Sequence, residues 1–511
     1  MIERLDGMLT ERLHAPNRLA VQDRGKAGTS YHELGELAQR VADELGRIDC
    51  PAGHVVALAG PSSADVLAGL WGILRAGHYY LPLDPGQPSE RNRQIMERAG
   101  VRTVVGTLSD LEAMRRGAQF GAAVRWGVVI DGTRTRLITF AADNIARQWF
   151  ADTHTDRAYV LHTSGSTGVP KGVVHTHASA RAFVDWATRT TELEPADRVA
   201  GFAPLHFDLS VFDVFGTAWV GASLIPVPNS VKIFPRMFAD FLAEADVSVL
   251  YTVPTALVAL LRSGRLSRDR LRSLRLIVFA GEPMSVAAAN ELTAALPGCR
   301  LYNWYGPTET NVCTSFAVTD QLDQRLPSVP IGTAITGDSV FVIDDAGRPA
   351  TEGELYVGGA TVMSGYLNDP VSTRRCLSTP AGAESPCYRT GDQVRIIGDG
   401  VLVFLGRRDD QIKRNGFRIE LSEIDLSLRS VAGVHDSVTL AMTTADRQMV
   451  IVSYVVCATG LTTRQILGSV RNMLPQYMIP DELAIVDEFP TTSNGKIDRH
   501  SLRGIARRDE A

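Results

Sequence analysis

Cysteine is scarce in this 511-residue chain: six occur, at positions 50, 299, 313, 376, 387 and 457, and no two form a C-x-x-C pair. That spacing argues against a zinc knuckle or a thioredoxin-type motif and suits reduced thiols better than a disulfide scaffold. An excess of positive charge is missing as well. Lys and Arg number 52 against 57 Asp and Glu, a net charge of −5 with a pI of about 6.2. No global basic field favours nucleic acid. The one dense cluster, RRDDQIKR (407–414), carries acids of its own and by itself reads as a solvated, salt-bridged face. No uninterrupted apolar run reaches the length of a membrane span. The opening MIERLDGMLTERLHAP is charged from residue 3 and lacks a signal-type apolar core. Repeats and low-complexity tracts are absent. These absences predict a soluble, cytoplasmic protein with neither nucleic acid nor membrane as a partner.

What is present is ordinary globular composition, 45% apolar and 21% charged, in a chain too long for one hydrophobic core. Short β-rich apolar segments bounded by Gly, Pro or Asp read as buried parallel strands: HVVALAG (54–60), VRTVVG (101–106), WGVVI (126–130), AYVLHTS (158–164) and LRLIVFAG (274–281). Between them lie helix-like stretches, 31–48 and 63–77 among them. The alternation predicts α/β architecture with parallel sheets. After about residue 330 shorter strands and hairpin-type turns, DDAG and GDG, predict a small β-rich module. The last hundred or so residues return to mixed α and β after the polar seam GRRDDQIKRNG.

The stretch LHTSGSTGVPKGVV (161–174) follows one of those strands. Gly165 and Gly168 let backbone approach an anion closely, and successive N–H groups can form an anion-binding nest. Thr163, Ser164, Ser166 and Thr167 add hydroxyls and Lys171 a point charge. This is not the G-x-x-x-x-G-K-[ST] phosphate loop: Val169 and Pro170 separate Gly168 from the lysine, and no Ser or Thr follows it. Strand-SGSTG-x-P-K-G resembles instead the phosphate loop of the adenylate-forming superfamily, which includes acyl-CoA ligases, luciferases and the adenylation domains of nonribosomal peptide synthetases.

Further motifs resemble that family in its order. NWYGPTET (303–310) is similar to its NxYGPTE motif, which implies Tyr305 stacked on adenine, Asn303 facing the base, and Thr308 and Glu309 at the α-phosphate and Mg²⁺. YRTGDQVR (388–395) implies Asp392 on the ribose hydroxyls, and GRRDDQIKRNGFRIELSEID (406–425) implies Arg407 on the ribose and Asp409 as an interdomain hinge. TTSNGKIDR (491–499) implies Lys496 as the catalytic lysine. Singly, Tyr305 could be core, Asp392 a turn cap and Lys496 one more solvated lysine. Together, across residues 158 to 499, they make coincidence remote.

The resemblance implies a large N-terminal domain, 1–406, of two parallel-sheet α/β subdomains plus a small β-barrel-like module, and a small mobile α+β C-terminal domain, 407–511. It implies ATP and Mg²⁺ as cofactors and two half-reactions. A carboxylate first attacks the α-phosphorus, giving an acyl-AMP and pyrophosphate; Lys171 and the hydroxyl loop hold the outer phosphates, Glu309 holds Mg²⁺, and Lys496 lies between carboxylate and α-phosphate. The acyl group then moves to a thiol after the small domain rotates, taking Lys496 out and bringing GFRIE (416–420) toward an incoming pantetheine.

APLHFDLSVFDVFG (203–216) resembles the F-D-x-S motif of amino-acid-activating members, where the Asp, here Asp208, pairs with the substrate ammonium. A buried cation needs a fixed anion, although an Asp in this setting can also cap a helix. His206 falls where relatives often carry a residue near the carboxylate. The family's pocket positions fall on Asp208, Leu209, Phe212, Tyr251, Val278, Ala280, Trp304, Val312, Cys313 and Lys496. Beyond the two charged residues this wall is apolar and aromatic, which selects a compact apolar amino acid. The set resembles the pockets of free-standing prolyl adenylating enzymes, implying L-proline. Trp304 departs from it and could narrow the pocket or select a modified ring, so small aliphatic and other cyclic imino acids stay open. With the chain ending soon after Lys496, the expected thiol is the phosphopantetheine of a separate peptidyl carrier protein in secondary-metabolite, including antibiotic, biosynthesis. An acyl- or aryl-CoA ligase is the alternative within the superfamily, and a non-catalytic binding module the alternative outside it.

Overall fold

The computed structural model describes residues 4–13, 17–48, 50–121, 123–140, 154–165, 168, 170–319, 321–408, 411–443, 449–490, 497–499 and 501–502. Two large sheets dominate. The first runs, in spatial order, Gly365–Tyr366, Lys171–Thr176, Arg157–Thr163, Tyr79–Leu83, Val55–Ala59, Thr103–Thr107, Trp126–Asp131 and Arg134–Thr139. Its five central strands are parallel and its edges antiparallel. The second has nine strands, parallel from Leu19–Val21 through Ser223–Pro226, Arg198–Gly201, Val249–Thr252 and Leu276–Phe279 to Arg300–Tyr305.

Helices between the two sheets explain why both read as apolar runs. In Ala64–Arg75 ten of twelve residues are buried, because the helix has a sheet or a helix on every side. Gly72 permits this packing: a Cβ there would lie 2.5 Å from Val41 Cβ in helix Tyr31–Gly46. One core cluster joins Val56, Leu58 and Tyr159 of the first sheet to Val249, Leu276 and Trp304 of the second. The N-caps of both helices are serines, Ser30 forming a full capping box with Glu33.

The expected β-rich module is a five-stranded antiparallel sheet, Asp338–Ile343, Glu352–Gly359, Cys387–Ile396, Leu377–Ser378 and Leu402–Arg407. DDAG and GDG supply its turns, with Gly347 and Asp399 at positive φ. Beyond it come the hairpin Gln411–Arg414/Phe417–Glu420, helix Leu421–Arg429, a three-stranded sheet (Val434–Thr443, Met449–Cys457, Glu482–Ile485) and helix Thr463–Val470. The six cysteines are free thiols. Among the described residues no helix is long and apolar enough to cross a membrane.

Candidate active site

Parallel strands present their C-terminal ends along one crevice, the usual location of ligand sites in open α/β sheets. Thr163, Thr252, Phe279 and Tyr305 end their strands there, and the segments that follow carry the motif residues. A cavity of about 70 Å³ lies among them. One side is polar, with Thr163, Ser164, Thr308 and His162; the other holds Leu209, Tyr251, Ala280 and Val312.

The glycine loop closes a hairpin, since Thr163 and Lys171 are register partners in antiparallel strands. This accounts for Pro170: a strand follows the loop, not a helix. Gly168 has φ +77°, a conformation that favours glycine. Lys171 Nζ lies 5.4 Å from the ring centre of Tyr366. Ser166 and Thr167 of this loop, Asp409 and Lys496 lie outside the described residues.

The C-terminal part of the chain packs directly on the crevice. Ser164 Oγ donates to the carbonyl of Arg418 (2.7 Å) and accepts from the N–H of Glu420 (3.1 Å). Gly416 N–H donates to Glu282 Oε1 (2.9 Å), in the loop after strand Leu276–Phe279. Phe417 stacks on Tyr477 with ring centres 3.8 Å apart and reaches Phe207 at 5.1 Å. Gly416, Phe417, Arg418, Lys413 and Tyr477 therefore line the cavity.

Glu309 is 1% exposed, and its carboxylate is fully engaged: Oε1 accepts from the Tyr366 hydroxyl (2.6 Å) and Oε2 pairs with Arg418 (3.0 Å). Burial works to raise its pKa, but the Arg418 charge and the Tyr366 bond outweigh that and hold it below the usual carboxylate range. A buried carboxylate whose partner Tyr366 also faces Lys171 fits the way Mg²⁺ is commonly held, by one or two carboxylates together with substrate phosphates and water. Among the described residues no group of three or more His, Cys, Asp or Glu forms a ready-made metal cage.

Asp208 accepts from Thr308 Oγ1 (2.7 Å), and removal from water raises its pKa. The Thr308 carbonyl faces His175 Nε2 (2.8 Å); a carbonyl only accepts, so Nε2 carries the proton and Nδ1 accepts from Ser179 Oγ (3.1 Å). Burial pushes this imidazole down to about 4, keeping it neutral near pH 7. His206 lines the cavity; its Nε2 has no hydrogen-bond partner among the described residues, and desolvation lowers its pKa.

Tyr305, Asp392 and Arg407 form a chain in which Asp392 accepts from the Tyr305 hydroxyl and pairs with the Arg407 guanidinium. Lys413 Nζ sits 5.1 Å from the Tyr305 ring centre. Asn303 donates from Nδ2 to the carbonyls of Val329 (3.3 Å) and Pro330 (2.8 Å). Asn303, Trp304 and Tyr305 border a second, smaller space with Gly281, Ser328 and Ile331.

Of the expected amino-acid pocket, Asp208, Leu209, Tyr251, Ala280 and Val312 line the crevice cavity. Phe212, Val278, Trp304 and Cys313 do not; all four are buried. Trp304 stands edge-on to Tyr251 (5.2 Å) and Phe212 (5.4 Å) and against Trp186 (5.0 Å), closing the space behind the cavity wall. Sequence reading missed Arg418, Tyr366, His175, Lys413, Arg91 and Glu423. Lys413, Arg418 and Glu423 had a local signal, their place in GRRDDQIKRNGFRIELSEID (406–425).

Comparison with known proteins identifies the family. Residues 11–367 match the AMP-binding enzyme family and residues 423–496 the AMP-binding enzyme C-terminal domain. The chain is 37% identical over 497 residues to L-proline--[L-prolyl-carrier protein] ligase of Pseudomonas fluorescens, covering 95% of this chain and 96% of that protein. It is 32% identical over 504 residues to phenyloxazoline synthase MbtB of Mycobacterium sp., where it covers 97% of this chain but spans 41% of the longer protein. The fold matches the structure of holo-PA1221, an NRPS protein containing adenylation and PCP domains, with TM-score 0.79 and 25% identity, covering 98% of this chain and 84% of that one. The chain belongs to the AMP-binding enzyme family, the adenylate-forming superfamily its motifs resemble.

Proposed function

We propose that the protein activates L-proline with ATP, forming prolyl-AMP and pyrophosphate, and then transfers the prolyl group to the phosphopantetheine thiol of a separate carrier protein. The observation that carries the reading is the cavity beside Asp208: a fixed carboxylate at a compact wall of Leu209, Tyr251, Ala280 and Val312. A secondary ammonium finds its counter-ion there, and a charged or amide side chain finds no partner on that wall. The proline-activating relative at 37% identity supports the same substrate.

In this reading the substrate carboxylate oxygen forms a bond to the α-phosphorus as the bond to the β-phosphate bridge breaks and pyrophosphate leaves. Thr163, Ser164, Gly165, Ser166, Thr167, Gly168 and Lys171 hold the outer phosphates; Asn303, Tyr305, Asp392 and Arg407 hold the nucleoside. Thr308 and Lys496 act at the α-phosphate, with His206 beside the carboxylate. Glu309 holds Mg²⁺, which neutralises phosphate charge when bound. Asp409 is the hinge between a large part, 1–406, and a small part, 407–511. Packing of Gly416 to Arg418 against the crevice supports reading this arrangement as the thiol-transfer one. The reaction is placed in the cytoplasm.

Amino-acid-dependent ATP–pyrophosphate exchange over the proteinogenic set, with pipecolate and hydroxyproline added, is the test. Exchange with proline above all others is expected; its absence with every amino acid returns the acyl-CoA ligase to first place. Trp304→Leu is expected to open room behind Tyr251 and to raise exchange with leucine or phenylalanine, relative to proline, by about tenfold or more, the usual scale for pocket-volume discrimination. An unchanged ratio would show that Trp304 does not set the pocket's depth.

A further inference from the structure

A carboxylate from the C-terminal part occupies a position suited to a phosphate oxygen. Glu423, in helix Leu421–Arg429, is 1% exposed. Its Oε2 accepts from the Gly165 N–H of the glycine loop (3.1 Å), and its Oε1 pairs with Arg91 (2.5 Å). Arg91 belongs to helix Ser89–Ala99, which carries none of the motifs, and its side chain is 8% exposed. Burial first, and then the charges of Arg91 and Arg98, lower the pKa of His162, a cavity-lining residue that also borders a small space with Arg98 and Lys171. Arg91 and Arg98 thus both act on His162, with Lys171 lining the small space beside it. Among the described residues Asp369 is the one acid lining that smaller space, and its Oδ1 accepts from Ser372 N–H (2.9 Å), capping helix Pro370–Cys376.

A phosphoryl oxygen has the needs of this carboxylate: a main-chain N–H donor and a guanidinium. We propose that Arg91 binds the pyrophosphate portion of ATP during adenylate formation, and that Glu423 takes over Arg91 and the Gly165 N–H once pyrophosphate has left, so that the two anions exclude each other. The inference rests on the glycine loop holding the outer phosphates, as in the proposed function. It also accounts for the burial of Glu423. Without pyrophosphate, Arg91 would be a buried unpaired cation, a costly state that Glu423 removes as the C-terminal part docks. The Glu309 carboxylate shows the same logic with opposite sign, Arg418 supplying positive charge beside it.

The KM for pyrophosphate in the exchange reaction tests this. Arg91→Met is expected to raise it about tenfold or more, the range for a lost charge-assisted hydrogen bond, with the KM for proline unchanged. Glu423→Ala is expected to lower it several-fold by removing the competitor. Opposite directions are the signature. If Arg91 only anchors Glu423, both variants free the loop alike and both lower the KM for pyrophosphate, which overturns the proposal, as does an unchanged value in Arg91→Met. Should Arg91→Met fold poorly, the double variant Arg91→Met/Glu423→Ala removes both buried charges and is expected to keep the raised KM. A wild-type protein inert with every amino acid takes down the proposed function instead. Calorimetric titration of pyrophosphate into wild type and Arg91→Met then reads Arg91 by itself, equal affinities overturning its role.

Discussion

Asp208→Asn is expected to cut kcat/KM for the amino acid in pyrophosphate exchange by about 10²–10³-fold, the size of the loss when one partner of a desolvated ion pair is removed. The geometry also sets what should not change. In the free protein the Asp208 carboxylate is held by Thr308 Oγ1 (2.7 Å), and its pKa is raised by desolvation, the mark of a charge kept out of water at some cost to the fold. Asparagine keeps the shape and the acceptor oxygen while deleting that charge. Thermal stability should therefore hold or rise as activity collapses, with the KM for ATP little affected. Exchange within tenfold of wild type would show that the substrate ammonium is neutralised elsewhere.

Gly416→Ala is expected to separate the two half-reactions. Gly416 has φ +79°, and a Cβ there would lie 2.5 Å from Val253 Cγ1 and 3.1 Å from Phe207 Cζ. Overpacking costs about 1–3 kcal/mol and falls on the docked arrangement, so docking of this hairpin should weaken by about tenfold or more, whereas the about 1–2 kcal/mol that left-handed backbone costs a side-chain-bearing residue belongs to the hairpin's own turn in either placement. Adenylate formation, which in the proposed cycle uses the other placement of the C-terminal part, should stay within about threefold of wild type, as the clash falls on the docked hairpin alone. Exchange measured without carrier and prolyl loading measured with it separate the two. Equal loss in both assays would mean that Gly416 serves the fold, not the docked arrangement.

Much of the architecture was legible because its signals are local. Val55–Ala59, Thr103–Thr107 and Trp126–Asp131 read as buried strands through short apolar runs, and the glycine loop through the strand before it. The long-range pairs were not legible. Arg418 meets Glu309 across 109 positions and Arg91 meets Glu423 across 332, and neither residue looks unlike any other surface charge until the fold brings its partner. The rear of the pocket shows a different limit. Matching Trp304 to a family position located its backbone but not the side chain in front of it; only packing reveals that Tyr251 faces the cavity and Trp304 closes the space behind.

The docked seam is written largely in main-chain atoms on its C-terminal side. Gly416 supplies an N–H, Arg418 a carbonyl and Glu420 an N–H, while the side chains that read them, Glu282 and Ser164, both belong to the larger part. Any sequence that folds this hairpin offers the same groups. The C-terminal part can therefore drift in evolution, or be exchanged for that of a relative, with the constraints at the seam being the hairpin's shape and a handful of side chains, those at positions 413, 417, 418, 423 and 477. Natural recombination and deliberate grafting should both find this boundary permissive.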